Sequence, residues 1–419
     1  MEDASSEAAQ APHVPLGVMQ LVGAAKEIMN MYRIQTMNKI SPVGLNRFDA
    51  ALYEVGDEVQ DPQGILVRSA KLLDMEFNPS LLAIARAGVG VNNIPLDRCA
   101  AAGIPVFSTP GANANAVKEL VVCAMLMSSR DIPGAIRWVR EQAASGVEVA
   151  TVVEKGKSAF VGPELYKKTL GIIGLGAIGS IVANTAISLG MDVYGYDPFL
   201  SVDTALRLDR HVHVVKDIND LYKRADYVTL HIHYTGKTAH MIDADAIAAM
   251  KRGVRVINLA RGEIVDDEAI LAALDTGKVA VYVTDFPNNR LLTAPHVIAM
   301  PHLGASTPES EQNCAAMAVD ELTDYLENGN IRRSVNLPDM VMDRSGVERL
   351  CILHKNVPGM LANITSLFGR DGVNVENLSN KSRGEYAYTM VDLGTKVAER
   401  VIEDVQYMAN VIRVRVLEW

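Results

Sequence analysis

The stretch "KTLGIIGLGAIGS", Lys168 to Ser180, constrains the chain more than any other. Its short apolar run, Thr169 to Ile173, reads as a strand buried on both faces. Gly174, Gly176 and Gly179 follow in a G-x-G-x-x-G spacing. Ile178 to Leu189 then reads as a helix, and "MDVYGYD" as a second strand ending on Asp197. Gly174 permits a tight turn, Gly176 lets the backbone approach a pyrophosphate, and Gly179 lets helix and strand pack closely. The free N–H groups of the helix N-terminus face the anion. Asp197 stands where a carboxylate accepts hydrogen bonds from an adenosine ribose and repels a 2′-phosphate, which favours NAD over NADP. The run from Gly171 to Met191 is uncharged and about long enough to span a bilayer. Strand, glycine turn and buried helix account for it better, so no membrane partner is expected.

Further strands recur at a regular beat: "YVTLHI" (Tyr227 to Ile232), "VRVINLA" (Val254 to Ala260), "VAVYVTDF" (Val279 to Phe286) and "HVIAMPH" (His296 to His302). Helical segments such as "DADAIAAM" and "DDEAILAALDTG" separate them. Strands alternating with helices predict an α/β fold with a doubly wound parallel sheet. Ligands of such sheets bind beyond the carboxyl ends of the strands. Those ends carry His231, Arg261, Asp285 and His302. A guanidinium such as Arg261 holds a carboxylate through two hydrogen bonds. An imidazole such as His302 takes a proton from a hydroxyl while hydride leaves the same carbon.

The length of 419 residues allows two or three domains. A net charge of −10 argues against nucleic acid as a partner. Cys99, Cys123, Cys314 and Cys351 are scattered with no CxxC spacing, so neither a disulfide framework nor a metal site is expected, and a reducing cytoplasm fits. The start, "MEDASSEAAQAPHVPLG", has no basic n-region before an apolar core. Residues 1–30 are expected to form a disordered extension, with Met31 a plausible alternative start.

"GLGAIG…D", "DYVTLH", "NLARGEIVD" and "PHLGAST" together resemble the D-isomer-specific 2-hydroxy acid dehydrogenases. The likeness is closest to the branch that oxidises D-3-phosphoglycerate at the start of the phosphorylated route to serine. It implies two Rossmann-like lobes, hydride transfer to NAD, Arg261 as carboxylate anchor and His302 as acid/base. It further implies cofactor contacts from Ala177, Ile178, Asp197, Ile232, Leu259, Ala260, Asp285 and Gly304. Members usually add a glutamate beside the histidine, a few residues after the aspartate matching Asp285. Here the turn "DFPNN" is short, and Asn289 falls near that place. An amide orients an imidazole by hydrogen bonding but brings no charge, so the pH dependence of activity is expected to differ from that of relatives.

Residues 31–130 with 303–330 are expected to form a substrate lobe, and residues 131–302 the nucleotide domain. Arg68, Ser69 and Lys71 follow the strand "ILVRSAKLL" and suit a phosphate dianion. In "ARAGVGVNNIPLD", Val89 and Gly90 offer backbone N–H groups to a carboxylate. Asn113 faces substrate by the resemblance, and Val117 to Met127 reads as an apolar helix with a packing role. After a linker, 331–346, the pattern of residues 347–419 becomes βαββαβ, an α+β sandwich similar to ACT regulatory domains. By that likeness His354, Asn356 and Asn374 match positions that bind the effector L-serine, and a homodimer or homotetramer is implied.

Two rival readings stay open. One is a dehydrogenase of another small 2-hydroxy acid, such as glycolate or 2-hydroxyglutarate. The other is an NAD-sensing protein that keeps the fold without turnover, suggested by the missing glutamate.

Overall fold

The computed structural model describes residues 31–419, and the expectation for residues 1–30 lies outside the described residues. The first lobe is built on five parallel strands, β1 (Tyr32–Met37), β2 (Tyr53–Gly56), β3 (Gly64–Val67), β4 (Ala83–Arg86) and β5 (Val106–Phe107), in the order β2-β1-β3-β4-β5. All of β3 and most of β4 are buried, as expected of strands covered on both faces.

The second lobe holds seven parallel strands: β6 (Thr169–Ile173), β7 (Asp192–Tyr196), β8 (Val212–Val215), β9 (Tyr227–Leu230), β10 (Val254–Asn258), β11 (Val279–Thr284) and β12 (Val297–Ala299). Their order, β12-β11-β10-β9-β6-β7-β8, reverses direction between β6 and β9. That switch point opens a crevice above the carboxyl ends. β9 to β12 stop short of their expected ends, so His231, Arg261, Asp285 and His302 stand in the loops just beyond the ladder.

Helix Ala114–Arg130 is apolar on more than one side, with Val117, Val121, Ala124 and Met125 buried. These residues share a core with Leu170, Ile172 and Val182 of the second lobe. The packing therefore places the crossover between lobes ahead of this helix, rather than at the expected residue 130. Helix Pro308–Asn328 returns to the first lobe. Thr307 caps its start by accepting from Ser310 N at 3.1 Å, and Gly329, at φ 73°, ends it. Ala315, Ala318, Val319 and Leu322 of this helix join Ile34, Leu66 and Ala85 in the first-lobe core.

The third unit has four antiparallel strands, β13 (Glu348–Lys355), β14 (Val375–Arg383), β15 (Tyr386–Leu393) and β16 (Val411–Glu418), in the order β14-β15-β13-β16. Helices Met360–Arg370 and Glu399–Gln406 cover one face with Ile364, Phe368, Val401 and Val405. From the other face Cys351, Leu353, Tyr388, Met390 and Leu417 enter the first-lobe core. The segment expected as a linker is packed there too. Ile331, Leu337 and Met340 are buried, and Ile331 bridges Met340 in antiparallel fashion. Its proline, Pro338, and its charges mask apolar residues that the docked sheet covers.

Arg349 and Asp392, both fully buried, fasten the junction. Arg349 Nη2 donates to Asp392 Oδ2 at 2.7 Å and Nε donates to Oδ1. The remaining N–H groups of Arg349 reach the carbonyls of Asn328, Met342 and Asp343 at 2.7–3.0 Å. Ser345 supplies its N–H and hydroxyl to Asp392, each at 2.9 Å. Every donor of the guanidinium is used, which is what a buried charge requires. Asp392→Ala should cost about 3–5 kcal/mol by stranding the guanidinium. A urea titration would show a lower midpoint, and Arg349→Met added to it should recover much of the loss.

Candidate active site

A cleft of about 430 Å³ runs between the two lobes. Its first-lobe wall includes Arg68, Val89, Gly90 and Asn113. Its nucleotide wall includes Gly176, Ala177, Ile178, Ile232, Leu259, Ala260, Arg261, His302 and Gly304. Residues far apart in sequence thus face one space.

The glycines act as the spacing requires. Gly174 has φ 91°, and a Cβ on it would lie 2.4 Å from His231 O. A Cβ on Gly179 would meet Gly174 O at 1.9 Å, so helix Ala177–Ser188 seats only with glycine there. A Cβ on Gly176 would meet nothing within 4 Å, leaving its surface open to a pyrophosphate. Asp197 accepts from Leu175 N and Phe199 N, each at 2.9 Å, and is only partly buried, so its carboxylate also faces outward.

Asn258 shapes the turn that presents Arg261: its Nδ2 donates to Arg261 O at 2.8 Å and its Oδ1 accepts from Ala260 N at 3.1 Å. Arg261 Nη1 donates to Ala260 O at 2.6 Å. A Cβ on Gly90 would come within 3.1 Å of Arg261 Nη2, so the lobes meet closely at this guanidinium. Asp285 Oδ2 accepts from Gly304 N at 3.0 Å, while Oδ1 is buried with no partner. Burial pushes this carboxyl above its ordinary range, against the pull of the Gly304 N–H and of His302. A buried acceptor with no partner fits the amide group of a nicotinamide. Asn113 Oδ1, also buried and unpartnered, offers a second acceptor at the cleft.

Arg86 was missed in the sequence, although it ends β4 as Arg68 follows β3, and the strand-end argument applied to Arg261 covers it equally. Its Nε donates to Arg68 O at 3.0 Å, and it lines the cleft. Burial foremost, with Arg261 and Arg68 adding to it, holds Arg86 below its ordinary range, so an anion here would be welcome. Arg68 itself pairs with Glu311 at 2.7 Å.

Other expected residues stand elsewhere. Ser69 and Lys71 are exposed and do not line the cleft, because Asn38 Oδ1 takes the N–H groups of Ser69 and Ala70 and turns the chain aside. Asn289 is exposed and does not bond His302. Asn288 caps the short helix Asn289–Leu292 and donates to Asp267 Oδ2 at 2.7 Å, which draws the turn away from the imidazole. His354 is buried, with one ring nitrogen 2.9 Å from Thr389 Oγ1 and the other 2.8 Å from Lys355 O. Asn356 follows β13 beside Gly384, and Asn374 precedes β14 beside Gly394, at opposite ends of the sheet. These three therefore do not converge within one chain.

Comparison with known proteins agrees with this geometry. Residues 122–304 match the D-isomer specific 2-hydroxyacid dehydrogenase NAD binding domain, and residues 350–413 the AHAS small subunit-like ACT domain. The D-3-phosphoglycerate dehydrogenase of Methanocaldococcus jannaschii is 35% identical over 302 residues, covering 70% of this chain and 55% of that protein. The enzyme of the same name from Haemophilus influenzae is 32% identical over 379 residues, covering 87% and 88%. The chain spans 51–60% of the length of three curated relatives, so part of each lies outside the match. Among solved structures, the NAD+-bound 3-phosphoglycerate dehydrogenase of Entamoeba histolytica is 26% identical, with a TM-score of 0.58 over 73% of this chain and 99% of that one.

Asp285→Ala should weaken NADH binding about 10- to 100-fold, the worth of roughly 1.5–3 kcal/mol for a hydrogen bond to a charged group. Fluorescence titration of NADH checks this; unchanged affinity would remove Asp285 from the cofactor site.

Proposed function

The chain belongs to the D-isomer specific 2-hydroxyacid dehydrogenase family, and from that premise we propose that it oxidises D-3-phosphoglycerate to 3-phosphohydroxypyruvate. NAD, when bound, accepts the hydride leaving substrate C2 and so takes up the two electrons of the oxidation. Gly176, Ala177 and Ile178 would hold its pyrophosphate, Asp197 its adenosine ribose, and Asp285 its carboxamide. Arg261 would fix the substrate carboxylate against the N–H groups near Gly90. His302 would accept the C2 hydroxyl proton in oxidation and return it in reduction.

The observation that carries this reading is the meeting of Arg68, Arg86 and Arg261 in one cleft with His302. A carboxylate and a phosphate together bring roughly three negative charges. Three guanidiniums match that load, with Arg68 and Arg86 on the phosphate end and Arg261 on the carboxylate end. The ion pair of Arg68 with Glu311 favours the rival reading, an unphosphorylated 2-hydroxy acid, since it occupies one of those cations.

L-serine is the proposed effector. Because His354, Asn356 and Asn374 lie apart in one chain, such a site would be assembled from two copies. A homo-oligomer joined through helix Ile132–Ala144 is supported by exposed Ile136 and Val139 on a helix with no buried residue. Among the described residues no helix is long and apolar enough to cross a membrane. The cytoplasm is the proposed compartment, supported by four free cysteines.

NADH consumption with 3-phosphohydroxypyruvate, beside glyoxylate and 2-oxoglutarate, tests the assignment. The phosphorylated acid should be the preferred substrate. Arg86→Leu should raise its KM about 100-fold, as loss of one partner of a desolvated charge pair implies, and leave glyoxylate turnover within a few-fold. Turnover of the unphosphorylated acids alone would keep the chemistry and move the substrate.

A further inference from the structure

We propose that Phe286 is the positioning residue of this site, its ring in contact with both His302 and Arg261, in place of the carboxylate that the family resemblance puts beside the histidine. The inference rests on the acid/base role given above to His302. Among the described residues, no side chain hydrogen-bonds the His302 ring, and the ring is exposed. An unheld imidazole on a solvent-facing loop samples several rotamers, and each wrong one removes the base from the substrate hydroxyl.

Phe286 supplies a fixed surface in its place. Its ring centroid lies 4.7 Å from that of His302, with the planes tilted by 48°. The guanidinium carbon of Arg261 lies 5.8 Å from the same ring. One aromatic ring therefore touches both the base and the carboxylate anchor and sets the spacing between them. Its negative π face is attractive to a guanidinium and to an imidazolium alike.

The ring is itself held. Phe286 N donates to Thr284 Oγ1 at 3.0 Å, and Thr284 is fully buried. The preceding Asp285 is tied to Gly304 N. A Cβ on Gly262 would come within 3.3 Å of Phe286 Cβ, so the residue after Arg261 packs closely against Phe286. Beside His302 lies a cavity of about 830 Å³, lined by Phe286, Pro287 and Pro301 and also by Glu263, Asp267 and Glu268. No carboxylate bonds the imidazole across that space, which leaves the Phe286 ring as the contact fixing its plane.

The test compares Phe286→Leu, which keeps apolar bulk and removes the ring, with Phe286→Tyr, which keeps the ring. In the full chain with labelled histidine and phenylalanine, NMR should show a through-space contact between the ring protons of Phe286 and His302, the latter assigned with His302→Asn. Phe286→Leu should move the His302 ring signal, and Phe286→Tyr should restore it. In the reduction assay Phe286→Leu should lower kcat about tenfold, with KM for NADH within about twofold, the pattern of a misplaced base rather than of lost cofactor binding. Absence of the ring contact, or a His302 signal unmoved by Phe286→Leu, overturns the proposal. A kcat unchanged in Phe286→Leu overturns it as well. If no keto acid is turned over, the assigned activity fails while the NMR comparison still decides whether Phe286 holds His302.

Discussion

Helix Pro308–Asn328 is the constraint on which the other parts depend. Its first turns bring Ser310, Glu311 and Cys314 to the cleft. Its middle seals the first-lobe sheet through Ala315, Ala318 and Leu322. Its last carbonyls are also bonded by the third unit. Arg415 donates to Tyr325 O at 3.0 Å and to Leu326 O at 2.9 Å, Arg349 to Asn328 O, and Tyr388 to Gly329 O at 2.6 Å. One rigid rod therefore sets the cleft wall, the first-lobe core and the seat of the third sheet together.

The chemistry of the cleft follows from how parallel sheets end. Each strand of the ladder delivers its next residues to the same rim, so groups from β3, β4, β10 and β12 converge although they are remote in sequence. The first lobe brings Arg68 and Arg86, and the nucleotide lobe brings Arg261 and His302. Burial foremost holds Arg86 below its ordinary range, and the nearby Arg261 and Arg68 add to it, so the three guanidiniums are poised for an anion. A dianionic end and a carboxylate end would relieve their repulsion at once.

Much of this was legible in the sequence where a local pattern has a single physical solution. The glycine spacing at Gly174, Gly176 and Gly179 leaves one geometry, and alternation of strands with helices leaves a parallel sheet. The βαββαβ run after residue 347 likewise suits one topology. What escaped depends on contacts that local sequence does not encode. Arg86 sat among small residues, and only the end point of β4 marks it. Asn289 was expected near the histidine, but capping by Asn288 turns that segment toward Asp267. The apolar faces of helix Ala114–Arg130 do not say which lobe they serve, and residues 331–346 read as a tether because the sheet that buries Ile331 and Leu337 lies downstream.

The central claim is that the two lobes close around one carbon from which hydride leaves while His302 takes the proton. The most direct measurement uses D-3-phosphoglycerate deuterated at C2, with mass analysis of the reduced cofactor. The account predicts deuterium carried into NADH and lost from the acid product, with His302→Asn slowing the transfer. NADH formed without the label, or no transfer from this acid while NADH binds in the cleft, would contradict it.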